Sequence, residues 1–599
     1  MFDGRRSRRG CLLPIVVALV AAMVCAFGSA SMSATAESEG TSALTTELKV
    51  TNLEKGVKGT AYKYMKVEGE GDQDNQPKQH FESPVINVVS NDFASKNYIK
   101  DRDKDGDEPT KEFRDMDSED RNAFTDKLLS LVANDLITLT SYSSDVAVSG
   151  TGGKAEISFT LPVGGYVIKL TNGSDCIYTP ILADVWLHPN GNLQIRGDLD
   201  LSPIDAIAAK SEKITSKKTV DGNKTKTHSQ IGEALNFRVE TPIPKYLTHA
   251  TNKHFGVEDH PDCGLTIKPS SIKVQIGGKM LSKENKDYSD DSVSAEKDRG
   301  SGIRIEFNTE QYNKSKLTDA AESGESLIVE YEGRLNDKAS IEGGGTRNHA
   351  RPLIVKDNYD PKLNLFDKYT NPPETPAFTT LYTYGVKLTK VDSKDESRKL
   401  GDAEFELYKK EDGTTTEIKV KKQSADPTSA GQAGAATGMY VVQEAGSPGS
   451  VPITSNAEGL VQIDGLNAGV TYILKETKAP EGYSDSAELV TTEIIIRDEK
   501  TEDGSSNGPD GKPDLDNSSM IGGKAVTALD NNRLVGNIEN KSTAQPGPGP
   551  GPDPGQYDFT LPKTGAMGTA AFSAIGVALV AGGVALVVVI RRRKVKHSS

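Results

Sequence analysis

Cysteine is scarce in this chain: four residues in 599, at positions 11, 25, 176 and 263, with two of them inside the first 36 residues. That excludes a disulfide framework as the source of stability, and it excludes a cysteine-rich zinc module. Tryptophan occurs once and histidine eight times. His249, His254 and His260 are too loosely spaced to form a zinc site. Between the two ends no hydrophobic run reaches membrane length. Basic charge is also short: 71 Lys and Arg against 85 Asp and Glu give a net charge of −14. Setting aside +3 in residues 1–36 and +5 beyond Gly565 leaves −22 on the part between. A surface of that sign repels nucleic acid and anionic lipid, so neither is an expected partner. No Ser/His/Asp set, carboxylate pair or metalloprotease pattern is evident, which argues against an exported hydrolase and for a protein that is not an enzyme.

What is present begins at the two ends. Arg5, Arg6, Arg8 and Arg9 precede an apolar run at 11–27, and Ala34-Thr35-Ala36 is a small-x-small cleavage pattern. Residues 1–36 therefore read as a signal peptide removed on export. At the far end Leu561, Pro562, Lys563, Thr564 and Gly565 precede an uncharged, mostly apolar segment, 566–590, closed by Arg591, Arg592, Arg593, Lys594 and Lys596. The apolar segment is long enough to cross a bilayer core of roughly 30 Å as a helix, and the cations mark its cytoplasmic end. Pentapeptide, span and basic tail in that order resemble the cell-wall sorting signal of Gram-positive surface proteins. The resemblance implies that a sortase cuts between Thr564 and Gly565 and passes the Thr564 carbonyl, through an enzyme thioester, to an amine of peptidoglycan precursor or of another protein. The span of the 561–599 signal would then be a temporary holder. Alternating Pro and Gly from Pro546 to Pro552 make 542–560 an extended spacer, similar to those that cross the wall.

The remainder is mainly β, and the pattern points to tandem immunoglobulin-like, Cna-type sandwiches. Residues 37–205 read as a β domain with a helical insertion from Ser118, the expected N-cap, to Leu136, with Phe124, Leu128, Leu131 and Val132 on one face. Residues 206–370 read as β throughout, with alternating sets such as Leu235, Phe237, Val239 and Leu327, Val329, Tyr331. Residues 380–541 form a further all-β unit, in which 498–532 reads as a polar surface insertion.

Two of these units place charge where packing alone does not ask for it. Ile214, Ser216, Lys218 and Val220 share one strand face, as do Phe255, Val257 and Asp259, and as do Asn348 and Ala350. A lone buried Lys or carboxylate is expensive. Buried together they neutralise: desolvation lowers the Lys pKa and raises that of the acid. A neutral amine next to an Asn amide can form a Lys–Asn isopeptide bond with loss of ammonia. Lys218-Thr-Val220, Val257-Glu-Asp259, Cys263-Gly-Leu265, Tyr331-Glu-Gly-Arg-Leu335 and Arg347-Asn348-His-Ala350 resemble the isopeptide-forming D2 domain of fimbrial subunits. That resemblance implies a Lys218–Asn348 bond assisted by Asp259, with Lys217 on the opposite face. In the third unit Val386, Leu388 and Lys390 alternate inward. Tyr472, Leu474, Glu476, Thr477, Ala479, Pro480, Gly482 and Tyr483 match the pilin E-box YxLxETxAPxGY. With Leu400-Gly-Asp-Ala403-Glu-Phe405-Glu-Leu407-Tyr408 it is similar to a CnaB (SpaA-type, prealbumin-like) domain, which implies a Lys390–Asn540 bond promoted by Glu476. Asn537 is the alternative acceptor.

Residues 37–205 resemble pilin N-terminal domains through Gly165-Tyr-Val-Ile168 and Val185-Trp186-Leu-His-Pro189-Asn190. The family's pilin motif ends in YPK, whose Lys attacks the sortase thioester of the next subunit; here Asn190 stands in its place. An amide nitrogen is not a nucleophile, so without a substitute the chain is an acyl donor only, as a tip or side-attached ancillary pilin would be; with Lys210, Lys213 or Lys217 as substitute it is a backbone or basal subunit, and an ancillary or basal place is expected over a backbone one. Asp101, Asp103, Asp105, Asp107 and Glu112 fit a calcium-loop pattern. Glu108 and Pro109 depart from it and no helix is evident before it, so a solvated acidic loop is preferred and no cofactor is expected. The whole reads as a structural subunit of a sortase-assembled, wall-anchored fimbria that contributes to adhesion. Its expected partners are sortase, peptidoglycan, other pilin subunits and a host glycan or extracellular-matrix protein. A monomeric wall-anchored adhesin is the alternative.

Overall fold

The computed structural model describes residues 45–540 except 69–77, 101–105, 145–146, 150–153, 172–175, 188–192, 198–203, 205, 296–298, 343, 364–375, 424–436, 445–446, 484–489, 499–508 and 516–517. The signal peptide, the spacer, the pentapeptide Leu561, Pro562, Lys563, Thr564 and Gly565, and the apolar 566–590 segment lie outside the described residues. So do His188, Pro189 and Asn190, and Asp101, Asp103 and Asp105. All described residues belong to one compact unit within Met1–Ser542. Among them no helix is long and apolar enough to cross a membrane.

The described strands form seven sheets. Period-two burial explains the layering: in Ser326–Leu335 every second residue is buried, and Ala234–Pro242 alternates in the same way. Each such face needs an apolar partner, and facing sheets supply it. The first sandwich pairs a four-stranded sheet around Thr45–Leu53 and Ala155–Pro162 with a six-stranded one around Lys58–Glu68 and Gly164–Thr171. Residues past 205 still belong to it. Ala206–Ala208 runs parallel to Thr45–Leu53, and Ser211–Lys213 pairs with Cys176–Tyr178. Cys176 and Cys263 are not joined in a disulfide.

The helical insertion spans Ser118–Ala133 and is capped one residue earlier than expected, by the Asp117 carboxylate, which accepts from the Asp120 amide. Phe124 and Leu128 are buried, whereas Leu136 lies beyond the helix and is 68 % exposed. An unexpected helix, Ser83–Asp92, precedes the acidic loop, with Pro84 in its first turn and Val85, Val88 and Val89 buried. Its β-branched residues disguised it.

The second sandwich faces one six-stranded sheet (Lys217–Val220, Ala234–Pro242, Ser326–Leu335, Leu265–Ile267, Lys273–Ile276, Lys279–Met280) against another (Lys226–His228, Ala377–Tyr382, Thr346–Ile354, Phe255–Pro261, Gly302–Phe307, Ser289–Val293). Ala377–Tyr382 bonds to both Thr346–Ile354 and Lys226–His228, so this sheet extends past residue 370. The stretch is not β throughout. Asn308 and Gln311 form a capping box that starts Thr309–Lys314, and Leu317–Glu322 follows. In the third sandwich, the six-stranded sheet places Tyr384–Asp392 between Leu460–Leu466 and, in parallel, Arg533–Asn540. The seven-stranded sheet carries Glu404–Glu411 and Thr471–Lys478. The 498–532 stretch is only partly a surface insertion. Asp498 is buried, and Met520–Ile521 and Lys524–Ala525 extend the seven-stranded sheet.

Candidate functional site

Strand alternation brings Lys218, Asp259 and Asn348 to one point between the two sheets of the second sandwich. Lys218 comes from Lys217–Val220 in one sheet, and Asp259 and Asn348 come from neighbouring strands of the facing sheet. All three are at most 2 % exposed, whereas Lys217 is exposed. The Lys218 ammonium contacts the Asp259 carboxylate directly. A fourth member, Tyr331, ties the group together. Its hydroxyl accepts from Lys218 Nζ at 2.7 Å and from Asn348 Nδ2 at 2.8 Å, and donates to Asp259 Oδ2 at 2.7 Å. The rings of Phe237 and Tyr331 stack at 5.3 Å and lie 5.5 and 5.3 Å from Nζ. This apolar wall pushes the Lys218 pKa down, with Asp259 opposing in part. Burial, then Asp259, raises the Tyr331 hydroxyl well above its ordinary value. Asp259 Oδ1 and Asn348 Oδ1 are buried without a hydrogen-bond partner among the described residues. The Leu327, Val329, Tyr331 alternation already pointed this hydroxyl into the core, where it must find a partner.

The third sandwich repeats the arrangement with different connectivity. Lys390 and Asn540 lie on adjacent parallel strands of one sheet, the first and last of the unit, while Glu476 reaches in from the other sheet. Lys390 Nζ donates to Asn540 Oδ1 at 2.7 Å and stands 3.1 Å from Glu476 Oε1. That same oxygen accepts from Asn540 Nδ2 at 3.0 Å, and Glu476 Oε2 accepts from the Val490 amide at 3.2 Å. Burial lowers the Lys390 pKa, with Glu476 opposing, and the Phe405 ring lies 5.3 Å from Nζ. Asn537 is exposed and donates to Glu396, so it is not brought to the cluster. One carboxylate oxygen thus touches both the Lys390 amine and the Asn540 amide nitrogen.

Two of the five acidic-loop candidates, Asp107 and Glu112, lie among the described residues. Asp107 bonds through Oδ1 to His80 at 2.8 Å, and its carbonyl accepts from the Phe81 amide at 2.8 Å. Glu112 lies in the first turn of the short helix Lys111–Arg114. Among the described residues no group of acids, His or Cys could hold a metal ion.

The amine candidates separate. Lys210 sits between Ala206–Ala208 and Ser211–Lys213, its carbonyl accepting from Thr179. Lys210 lines both a cavity of about 580 Å³, shared with Tyr178, Lys245 and Tyr246, and a smaller one of about 100 Å³ beside Asn122 and Pro180. The larger cavity therefore spans the seam between the first and second sandwiches. Neither Lys213 nor Lys217 lines either cavity.

With this geometry in hand, comparison with known proteins is informative. Residues 384–505 match the SpaA prealbumin-like fold domain, a span that includes Lys390 and Glu476 but ends before Asn540. Residues 554–597 match the LPXTG cell wall anchor motif. The chain is 27 % identical over 470 residues to the trypsin-resistant surface T6 protein of Streptococcus pyogenes serotype M6, covering 72 % of this chain and 79 % of that protein. It is 26 % identical over 365 residues to the fimbrial subunit type 2 of Actinomyces naeslundii, covering 57 % of this chain and 62 % of that protein. The chain is thus similar to wall-anchored Gram-positive surface and fimbrial subunits in both its prealbumin-like domain and its anchor. The solved structure of the T6 backbone pilin of serotype M6 Streptococcus pyogenes is also similar, covering 84 % of this chain and 99 % of its own, at 19 % identity and a TM-score of 0.49. The anchor motif and these structural-subunit relatives make the chain a cell-wall-anchored surface protein rather than an enzyme.

Proposed function

We propose that this pilin polymerises in a sortase-assembled fibre and that its second and third sandwiches each staple themselves with a Lys–Asn isopeptide bond, Lys218 to Asn348 and Lys390 to Asn540. The observation that carries the reading is the shared Glu476 oxygen. Burial lowers the Lys390 pKa and so favours the neutral, nucleophilic amine; that amine adds to the Asn540 side-chain carbonyl carbon. Glu476 Oε1 takes the proton shed by Nζ and delivers it to Nδ2; the Cγ–Nδ2 bond breaks, ammonia leaves, and an amide remains. In the second sandwich Asp259 plays the same part, with the Tyr331 hydroxyl between amine, acid and amide. The first staple ties two facing sheets; the second ties the first and last strands of one sheet, the path along which tension enters and leaves. The intact exported chain should therefore weigh less than its sequence by two ammonias. A mass equal to that of the uncrosslinked sequence overturns the stapling.

For polymerisation, Thr564 is the acyl donor and Lys210 the acceptor that replaces the missing pilin-motif lysine. Lys210 is supported because it lines a seam cavity where a sortase-bound acyl peptide can be presented, while Lys213 and Lys217 do not line that cavity. This favours a backbone place in the fibre over the ancillary or basal one that Asn190 suggested.

A further inference from the structure

The two clusters differ in what meets the Asn carbonyl oxygen. In the third sandwich Asn540 Oδ1 accepts from Lys390 Nζ at 2.7 Å. In the second, Asn348 Oδ1 is buried without a partner among the described residues. Tyr331 cannot serve it, because its one O–H is given to Asp259 Oδ2. Yet this oxygen is where negative charge gathers when an amine adds to the amide. Charge developing in a dry, buried corner calls for a hydrogen-bond donor already aimed at it.

The strand Ala377–Tyr382 brings such a donor. It runs antiparallel to Thr346–Ile354, with Thr379 directly opposite Asn348. Both residues are 0 % exposed, so their side chains share the inner face of the sheet. Directly opposed residues on one face have Cβ atoms about 4.5–5.5 Å apart, within reach of short polar side chains. Lys217–Val220, which carries Lys218, packs against the same strand from the facing sheet. Thr379 Oγ1 is itself buried without a hydrogen-bond partner among the described residues. Buried hydroxyls are normally satisfied, and a Val of the same shape would fill the position without that cost. Asp259 Oδ1, Asn348 Oδ1 and Thr379 Oγ1 thus all lack partners in one corner. Of the three, only the Thr379 hydroxyl carries a hydrogen whatever the state of its neighbours. Its acceptor by position is Asn348, since Thr346–Ile354 stands between Ala377–Tyr382 and the Asp259 strand.

We propose that Thr379 is the oxyanion donor of the second sandwich, its hydroxyl bonding Asn348 Oδ1 as the Lys218 amine adds to the side-chain carbonyl carbon. The inference rests on the stapling reading and adds a residue to it. As Nζ bonds to Cγ, the carbonyl π pair moves onto Oδ1, which swings out of the amide plane and accepts from Thr379. Asp259 takes one proton from Nζ and returns one to Nδ2. The pair on Oδ1 then reforms the carbonyl, the Cγ–Nδ2 bond breaks and ammonia leaves. Thr379 keeps its proton throughout, and in the product it donates to the carbonyl of the new amide.

The test follows the full exported chain by intact mass at successive times after a synthesis pulse, with the Lys218–Asn348 peptide identified after digestion. Wild type should lose both ammonias. Removing one oxyanion donor typically costs roughly 10²–10³-fold in rate, so Thr379→Val should form the Lys218–Asn348 bond at least about ten-fold more slowly. Thr379→Ala should be as slow, whereas Thr379→Ser should restore a rate close to that of wild type. In every variant the Lys390–Asn540 bond should form at the wild-type rate, which controls for export and folding. A Val or Ala chain crosslinked at Lys218 as fully as wild type in the first sample overturns the proposal. So does a Ser chain as slow as the Val chain, which would make the position one of packing. A wild type that never forms the Lys218–Asn348 bond is a separate result, and overturns the stapling reading itself.

Discussion

Glu476→Gln offers the sharpest single perturbation, because the amide keeps the shape of the carboxylate but cannot take up the proton of Lys390. The Lys390–Asn540 bond should not form, and the chain should gain the mass of one ammonia. The stability lost can be worked from the topology: Lys390 and Asn540 are 150 residues apart in sequence. Releasing a closed loop of that length restores unfolded-chain entropy worth about 5 kcal/mol, by analogy with a disulfide. For a domain of this size each kcal/mol moves the melting temperature by roughly 2–4 °C, so the third sandwich should melt about 10–20 °C lower. Intact-mass spectrometry and calorimetry on the same sample provide the assay. A variant that still lacks the ammonia would refute the proton-transfer role of Glu476. A variant that regains it but melts unchanged would refute the entropic account of the staple.

Tyr331→Phe removes the hydroxyl linking Lys218, Asp259 and Asn348, so its freshly made chain should lose the second ammonia slowly or incompletely; wild-type completeness by mass spectrometry would make Tyr331 a packing residue only. Burial raises the Asp498 carboxyl to about 6, although it accepts from Tyr384, Asp510 and Gly511. Its folded pKa exceeds the unfolded value near 3.9, so the folded state binds the extra proton and stability should rise as pH falls from about 7 towards 4. Calorimetry should show that slope in the wild type and lose it in Asp498→Asn. Because the carbonyl and carboxylate of Asp107 are already engaged, chelator and added calcium should leave the melting temperature unchanged; a rise with calcium would reinstate the acidic loop as a metal site.

Much of the site was legible because the chemistry requires unlike residues at inward strand positions. Lys218 and Lys390 stood out as charges in apolar alternation, but it was resemblance to D2 and CnaB-type domains that selected Asp259, Asn348 and Glu476 beside them and set Asn540, just before the spacer, ahead of Asn537. Tyr331 was read as an ordinary apolar member of its strand, since a sequence shows that a ring points inward but not what its hydroxyl meets. Lys210 was indistinguishable from Lys213 and Lys217, because the three-residue strands on either side of it, Ala206–Ala208 and Ser211–Lys213, are too short to carry a pattern. In the fold, the helices Ser83–Asp92 and Thr309–Lys314 were hidden by β-branched composition and by brevity, though the Asn308–Gln311 capping pair was there to be read. The 498–532 stretch looked polar because its buried members are held by hydrogen bonds rather than by apolar contact, as with Asp498 and Asn532, whose amide donates to the Gly511 carbonyl.

The central claim, a self-polymerising wall-anchored pilin, is tested most directly by expressing the full chain with a pilus sortase as the sole pilin and resolving wall extracts on denaturing gels. The account predicts ladders of regular increment that collapse to a single band in Lys210→Ala but persist in Lys213→Ala and Lys217→Ala, with Thr564 joined to the Lys210 amine by mass spectrometry. A single anchored band from the unaltered chain would contradict it and leave a monomeric surface protein.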